Sequence, residues 1–186
     1  WTLSNEPFLK DKLEDVASIR LRASWGKSGN NNIGNYSSIA SISTGGYAFG
    51  NTAVSATAEG AFTDTALGWE TTTQTNIGVD LGFLDNRINV IANYYNSISS
   101  DILYKAPISV ISGSTSTTTN MSGAKIRNRG FDVQMDTRIL TGKVNWNFSA
   151  NVSVNRNKVV DMGGLDDIIS VTERSVGSHI TKKGYP

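Results

Sequence analysis

Over residues 143–155 the chain alternates without a break between apolar and polar positions. Val144, Trp146, Phe148, Ala150, Val152 and Val154 are apolar, while Asn145, Asn147, Ser149, Asn151, Ser153 and Asn155 between them are small and polar. Successive side chains of a strand point to opposite sides, so the spacing predicts a strand with one greasy and one hydrophilic face. Strands in globular domains usually run about five or six residues, whereas a tilted strand needs about 9–11 to cross a bilayer. The polar set is Asn and Ser alone, without the Lys and Glu that coat a solvated surface. It suits a crowded, wet, uncharged interior. Taken alone, the segment fits either a membrane strand or a long soluble one.

The same period recurs elsewhere. Ile19, Leu21, Ala23 and Trp25 oppose Arg20, Arg22 and Ser24, which predicts a strand over 18–27. A second covers 69–83, with Trp69, Thr71, Thr73, Thr75, Ile77, Val79, Leu81 and Phe83 opposed to Glu70, Thr72, Gln74, Asn76, Gly78, Asp80 and Gly82. The turn signal Asp85-Asn86 leads to a strand over 88–104, where Ile88, Val90, Ala92 and Tyr94 face away from Asn89, Asn93 and Tyr95, with Ile91 as an exception on the polar side. In a fourth strand, over 124–139, Phe131, Val133, Met135 and Ile139 oppose Gly130, Asp132, Gln134, Asp136 and Arg138. Thr141-Gly142 then turns into the fifth, over 143–157. Residues 1–4 read as the tail of a strand, and 6–15 as a polar turn with a short helical stretch.

Between the strands, connections of two lengths alternate. Residues 29–67 show no period and predict a loop of about forty residues, a length uncommon in compact soluble domains. Residues 105–122 predict another long, solvated loop around the low-complexity run GSTSTTTN, and after Asn157 the pattern dissolves until about residue 176. The turns near 85 and 141, by contrast, need about two to four residues. Long external loops and short periplasmic turns are the habit of outer-membrane barrels. Aromatics at Trp25, Trp69, Phe83, Phe131, Trp146 and Phe148 fall near strand ends, as interfacial girdles do. The predicted fold is all-β: an antiparallel up-and-down meander forming an open segment of a large transmembrane β-barrel.

Composition narrows the function classes. Hydrophobic residues make up 38% of the 186, low for a globular core of that size. Lys plus Arg is 17 against 16 for Asp plus Glu, and with no basic run to track phosphates a nucleic-acid partner is excluded. Cysteine is absent, which removes disulfides, thiolate metal sites and thiol nucleophiles together. No apolar run approaches the ~18 residues of a membrane helix. Glu6, Pro7 and Lys10 interrupt what a signal peptide would need as its apolar region.

Leu21-Arg22-Ala23-Ser24-Trp25-Gly26, followed by Ser28-Gly29-Asn30, resembles the LRASYGxxGN signature of SusC/RagA-type TonB-dependent outer-membrane transporters, with Trp25 where Tyr is commoner. Residues 69–80, WETTTQTNIGVD, are similar to that family's WETTxQxNIGxD stretch. Tyr94-Tyr95, Asn128-Arg129-Gly130 and Asn155-Arg156-Asn157-Lys158-Val159 follow in the family's order, so the resemblance spans nearly the whole chain. It implies a segment from the C-terminal half of a plugged barrel of about 22 strands. The parent protein would import oligosaccharides or peptides across the outer membrane. It would be energised by an inner-membrane TonB complex and work with a SusD-type surface lipoprotein. Residues 1–186 would then be a partial barrel domain without plug, signal peptide, TonB-contacting box or closing strands. A passive porin-like or structural barrel, and a secreted glycan-binding β-sandwich, are the competing readings.

Candidate sites follow from both lines of reasoning. Val144, Trp146, Phe148, Ala150, Val152, Val154, Ile77, Val79, Leu81 and Phe83 are expected to face lipid. Asn145, Asn147, Ser149, Asn151, Ser153, Asn76, Asp80, Asp132, Gln134 and Asp136 are expected to face the lumen. Asp132, Asp136 and Arg138 are placed to meet a plug or pair with neighbouring strands, and Gly78, Gly82 and Gly130 to relieve crowding or clear space for a plug. Tyr36, Tyr47, Phe49 and Tyr104 read as loop aromatics that stack on sugar rings or pack loops together. Asp161, Asp166 and Asp167 around Gly163-Gly164 are the candidates for calcium, though their spacing departs from the EF-hand loop. His179, the single histidine, has no Gly-x-Ser-x-Gly turn to partner, so no enzyme and no cofactor is expected.

Overall fold

Alternation becomes register in the computed structural model, which describes residues 1–10, 18–35, 38–165, 167–171 and 177–186. Its strands are β1 (Ser18–Asn30), β2 (Ser41–Phe49), β3 (Thr52–Ala61), β4 (Glu70–Phe83), β5 (Ile88–Pro107), β6 (Ser116–Leu140), β7 (Trp146–Met162), β8 (Asp167–Val171) and β9 (Gly177–Lys182). Five of them form one sheet in the order β1-β4-β5-β6-β7, every neighbour antiparallel. All five predicted strands are therefore present, in a next-neighbour meander. The pairs β2-β3 and β8-β9 form separate two-stranded sheets.

Direction assigns the connections to two edges. The turns at 84–87 and 141–145 lie on one edge, called lower here, together with the start of β1. The connections 31–69 and 108–115, and the one following Met162, lie on the upper edge. In the first lower turn Leu84, Asp85 and Asn86 take φ of 51, 52 and 58°, a left-handed run that Asp and Asn tolerate well. Two arginines tie the lower turns together: Arg138 donates to the Asn86 carbonyl at 3.0 Å, and Arg87 to the Ile139 carbonyl at 3.0 Å. Arg138, expected to meet a plug or a neighbouring strand, meets the neighbouring turn.

Of residues 1–4, expected as a strand tail, only the first two pair with β1: Trp1 and Leu21 exchange backbone hydrogen bonds at 2.8 Å each and Thr2 bridges Arg20, whereas Leu3–Asn5 is a turn of 3-10 helix. The short helix α1 (Pro7–Lys10) follows. At the other end, Val159 donates to the Tyr185 carbonyl and accepts from the Gly184 N–H, both at 2.8 Å. Each outer strand of the sheet thus carries a short run of further backbone against part of its free edge.

Several sequence expectations are corrected. The stretch read as one long loop contains the β2-β3 hairpin, so Tyr47 and Phe49 stand on a strand near its tip. Residues 105–122 are mostly strand: β5 runs to Pro107 and β6 starts at Ser116, and Tyr104 pairs with Thr119 inside the sheet. Likewise β7 continues to Met162 and β8 follows, where the pattern was read as dissolving. Val144 and Asn145 precede β7 and belong to the lower turn, because the Asn145 side chain accepts from the Gly142 N–H at 3.2 Å and closes it. Tyr36 and Asp166 lie outside the described residues.

The sheet has one layer. Its buried apolar side chains are Ala124, Val159 and Met162, gathered at the upper ends of β6 and β7, whereas Val152 is 60% exposed and Trp25 72%. Asp101 (φ 54°) stands unpaired where the register of β5 with β6 shifts between Ser100 and Ile102, opposite Ser122, Gly123 and Ala124 of β6, which have no partner on β5.

Candidate functional site: the two faces of the sheet

Because every strand of the large sheet is in register with the next, its faces can be read as rows. One row of the apolar face runs Leu21, Val79, Ala92, Val133, Val152 across the five strands. Below it run Ile19, Leu81, Val90, Met135 and Ala150, and above it Ala23, Ile77, Tyr94, Phe131 and Val154. Phe83, Ile88, Thr137 and Phe148 make the lowest row. All the candidates named for lipid except Val144 therefore share one continuous face with no polar interruption but Thr137.

The opposite face is polar from edge to edge. Its rows include Arg22, Gly78, Asn93, Asp132, Ser153 and Arg20, Asp80, Ile91, Gln134, Asn151. Ile91 is the exception foreseen from sequence. Asn76, Asp136, Asn147 and Ser149 share this face, so every lumen candidate except Asn145 is brought together here.

Hydrogen bonds knit the polar face across strands. The Arg22 guanidinium grips Asp80 at 2.6 Å and reaches on to Asn93 at 2.9 Å, two strands away. It does so by lying over Gly78, where a Cβ would stand 3.0 Å from Arg22 Nη2 and 2.6 Å from Asn93 Oδ1. Gly130 is hemmed in from both neighbours: a Cβ there would run into the Val154 carbonyl oxygen of β7 and stand 2.7 Å from Tyr95 Oη of β5. These glycines make room for the side chains, and at Gly130 also the backbone, of adjacent strands, the crowding account of the two offered by the sequence. Between β7 and β6 Ser153 donates to Asp132 and Asn157 to Asn128 at 2.7 Å, while along β6 Gln134 donates to Asp136 at 2.8 Å.

Above the apolar rows, residues 62–68 are strapped to the top of β6. Thr117 donates to the Phe62 carbonyl at 3.0 Å, and Thr119 to the Asp64 carboxylate at 2.5 Å. Asn120 mimics a strand partner, donating to the Gly68 carbonyl at 3.0 Å and accepting from the Gly68 N–H at 2.6 Å. The Thr119 hydroxyl, and after it the Ala66 N–H, hold the Asp64 carboxyl below the usual carboxylate range. Sequence gave no sign of this strap, since neither segment has a hydrophobic period.

The remaining candidates do not converge. Tyr47 (62% exposed) and Phe49 (76% exposed) stand on β2, and Tyr104 on β5. Asp161 accepts from the Gly163 N–H at 3.1 Å and lies 3.8 Å from Lys183, while Asp167 lies 3.5 Å from Lys182. Each carboxylate has its own lysine, and among the described residues no three metal-ligating side chains gather.

The family described as TonB dependent receptor-like, beta-barrel matches residues 12–178. TonB-dependent receptor P3 of Formosa agariphila is 30% identical over 169 residues, covering 90% of this chain and 17% of its own. TonB-dependent receptor SusC of Bacteroides thetaiotaomicron is 31% identical over 173 residues, again 90% of this chain and 17% of its own. Among solved structures, that of the RagAB peptide transporter superposes with a TM-score of 0.83 at 25% identity, covering 100% of this chain and 20% of the matched one. This chain thus spans 17% to 20% of the length of these relatives.

Proposed function

This chain belongs to the TonB-dependent receptor-like β-barrel family, and from that premise we propose that it builds part of the wall of an outer-membrane active importer. The rest of the protein supplies the plug and the remaining strands. Cargo is an oligosaccharide or a peptide, released into the barrel from a SusD-type surface lipoprotein, and energy comes from an inner-membrane TonB complex. The RagAB structure, described as a peptide transporter, and the relative SusC support this reading.

The observation that carries it is the sorting of the two faces by register. Phe148, Ala150, Val152 and Val154, with Ile77, Val79, Leu81 and Phe83, face lipid. Asn147, Ser149, Asn151 and Ser153, with Asn76, Asp80, Asp132, Gln134 and Asp136, face the lumen. From Trp146 to Val154 the apolar face covers about 27 Å of strand at roughly 3.4 Å per residue. At a tilt near 40° that is about 20 Å of membrane normal, close to the ~25 Å band of known barrels once the aromatic rows are added. The upper edge, with its longer connections, faces outside, and the arginine-clamped turns face the periplasm. A β-sandwich would need a second sheet over the apolar face, and none packs there among the described residues.

Single cysteines test the wall directly, because this segment has none of its own. In the full-length protein a water-soluble maleimide should label Asn151→Cys and spare Val152→Cys, while a lipid-borne quencher should dim a fluorophore at Val152→Cys alone. Equal labelling of both would refute the assignment of faces. Uptake of labelled oligosaccharide or peptide should stop when a protonophore collapses the inner-membrane gradient. Uptake that persists would make the barrel a passive porin.

A further inference from the structure

Up to the level of Lys158 every charge on the apolar face is positive; the next row, Gly29, Thr71, Ser100, Lys125 and Asp161, brings the first carboxylate, opposite its own lysine. From Phe148 up to Lys158, and at the matching positions of the other four strands, that face carries no carboxylate, while Asp80, Asp132 and Asp136 all lie on the opposite one. The cations stand in the two rows directly above Tyr94, Phe131 and Val154. The first row holds Trp25, Thr75, Asn96, Arg129 and Arg156, and the second Lys27, Thr73, Ile98, Arg127 and Lys158.

Arg129 is the direct partner of Arg156, and Arg127 of Lys158. Side chains opposed in this way have Cβ atoms about 4.5–5.5 Å apart, and like charges so placed destabilise a sheet. Among the described residues none of these four has an ion-pair partner. Arg127 Nε is moreover buried without a hydrogen-bond partner, and leaving a charged donor so is costly. An anion between the strands would relieve both penalties. Arginine's planar fork fits the oxygens of a phosphate in particular.

We propose that Arg127, Arg129, Arg156 and Lys158 bind the phosphate of an outer-leaflet lipid headgroup, whose acyl chains run down the apolar rows beneath. This rests on the orientation of the wall given above. The choice of a lipid over a dissolved anion comes from what adjoins the cations: Tyr94, Phe131 and Val154 form one concave patch with Arg129 and Arg156. A second recess shares Arg129 and Arg156 with it and is lined besides by Arg127, Lys158, Asn157 and Gly184. A site for free phosphate has no use for a floor of aromatic and aliphatic side chains.

The test uses the full-length protein in an uncharged detergent, with dihexanoyl phosphatidic acid, dihexanoylglycerol and inorganic phosphate as probes, read by native mass spectrometry. Phosphatidic acid should bind the native protein more tightly than either control. Each cation near a lipid surface is worth about fivefold in affinity, so Arg129→Gln with Arg156→Gln should weaken phosphatidic acid on the order of 30-fold. Arg20→Gln on the opposite face should leave it unchanged. The double variant removes repulsion, so its lipid-free unfolding midpoint should equal or exceed the native one; Lys158→Gln alone, with about a fivefold loss, serves as the milder check. Undiminished binding by the double variant overturns the site. Inorganic phosphate binding as tightly as phosphatidic acid overturns the lipid assignment. Failure of phosphatidic acid to bind the native protein overturns the site, and failure of both phosphatidic acid and dihexanoylglycerol overturns with it the membrane-wall reading on which the site rests.

Discussion

Placing an arginine at Val152 probes the wall where it is most demanding. Val152 occupies the row of Leu21, Val79, Ala92 and Val133. On the same strand and face, Arg156 marks a level where a charge is already accepted. The separation between them is about 14 Å of strand at roughly 3.4 Å per residue, or about 10 Å of depth at a tilt near 40°. In a band of ~25 Å that puts Val152 close to the midplane, where a lipid-facing arginine costs about 2–4 kcal/mol, against about 0–1 near the interfaces. Asn151 lies in the row of Arg20, Asp80, Ile91 and Gln134 on the wet face, and arginine there should cost under about 0.5 kcal/mol. Urea-titrated folding of the full-length protein into phosphatidylcholine vesicles, followed by heat-modifiable gel mobility, measures both. Val152→Leu and Trp146→Phe complete the test: lipid adapts to either outline, whereas a close-packed core would lose about 1–3 kcal/mol. Equal losses for arginine at 151 and 152, or large losses from the conservative pair, would refute the reasoning.

Other expectations rest on the polar face and the upper strap. Gly130→Ala should destabilise the barrel by about 1–3 kcal/mol, since its Cβ collides with the Val154 carbonyl and the Tyr95 ring; adding Tyr95→Ala should recover only the ring's share in a double-mutant cycle, the backbone clash remaining. Asp80→Asn should cost less than about 1 kcal/mol, because Arg22 is 46% exposed and keeps Asn93. Asp64 titrates with a lowered pKa, so its contribution is present above the ordinary carboxylate value near pH 3.9 and lost as pH falls through the lowered one. Hydrogen exchange over 62–68 should therefore stay slow at pH 7 and 5 and quicken below about pH 4; Thr119→Val, which removes the largest cause, should shift that opening to higher pH. Asn120→Ala should expose the same stretch to limited proteolysis at neutral pH without altering folding of the barrel.

The parts of the fold that were legible are those whose two faces differ in polarity. Ile77, Val79, Leu81 and Phe83, or Phe148 to Val154, alternate with polar neighbours, as the proposed wall between lipid and water requires. Toward the upper edge that constraint lapses. The run SISTGGYAF of β2 is exposed on both faces and the Thr and Ser residues opening β6 are half-buried on both, so no period marks either as a strand. Backbone pairing and Thr's suitability for extended structure then act without a pattern. Pairwise details were illegible for another reason: Arg22 spanning Gly78, or Asn120 capping Gly68, depends on register between strands far apart in the chain. At Asp101 a bulge changes that register by an amount no single strand reveals.

The two outer strands share a sense of direction. Strands alternate across the sheet, so in a meander of five the first and last, β1 and β7, both run from the lower edge to the upper. Antiparallel closure of one onto the other is geometrically forbidden, for these five strands and for any odd number. The unit of growth or loss in such a wall is accordingly the hairpin. Excising β4 with β5 would leave β1 beside an oppositely directed β6, with lipid and lumen faces still matched, whereas deleting β5 alone would set two strands of like sense side by side. Length variation that keeps these proteins foldable should come in pairs of strands.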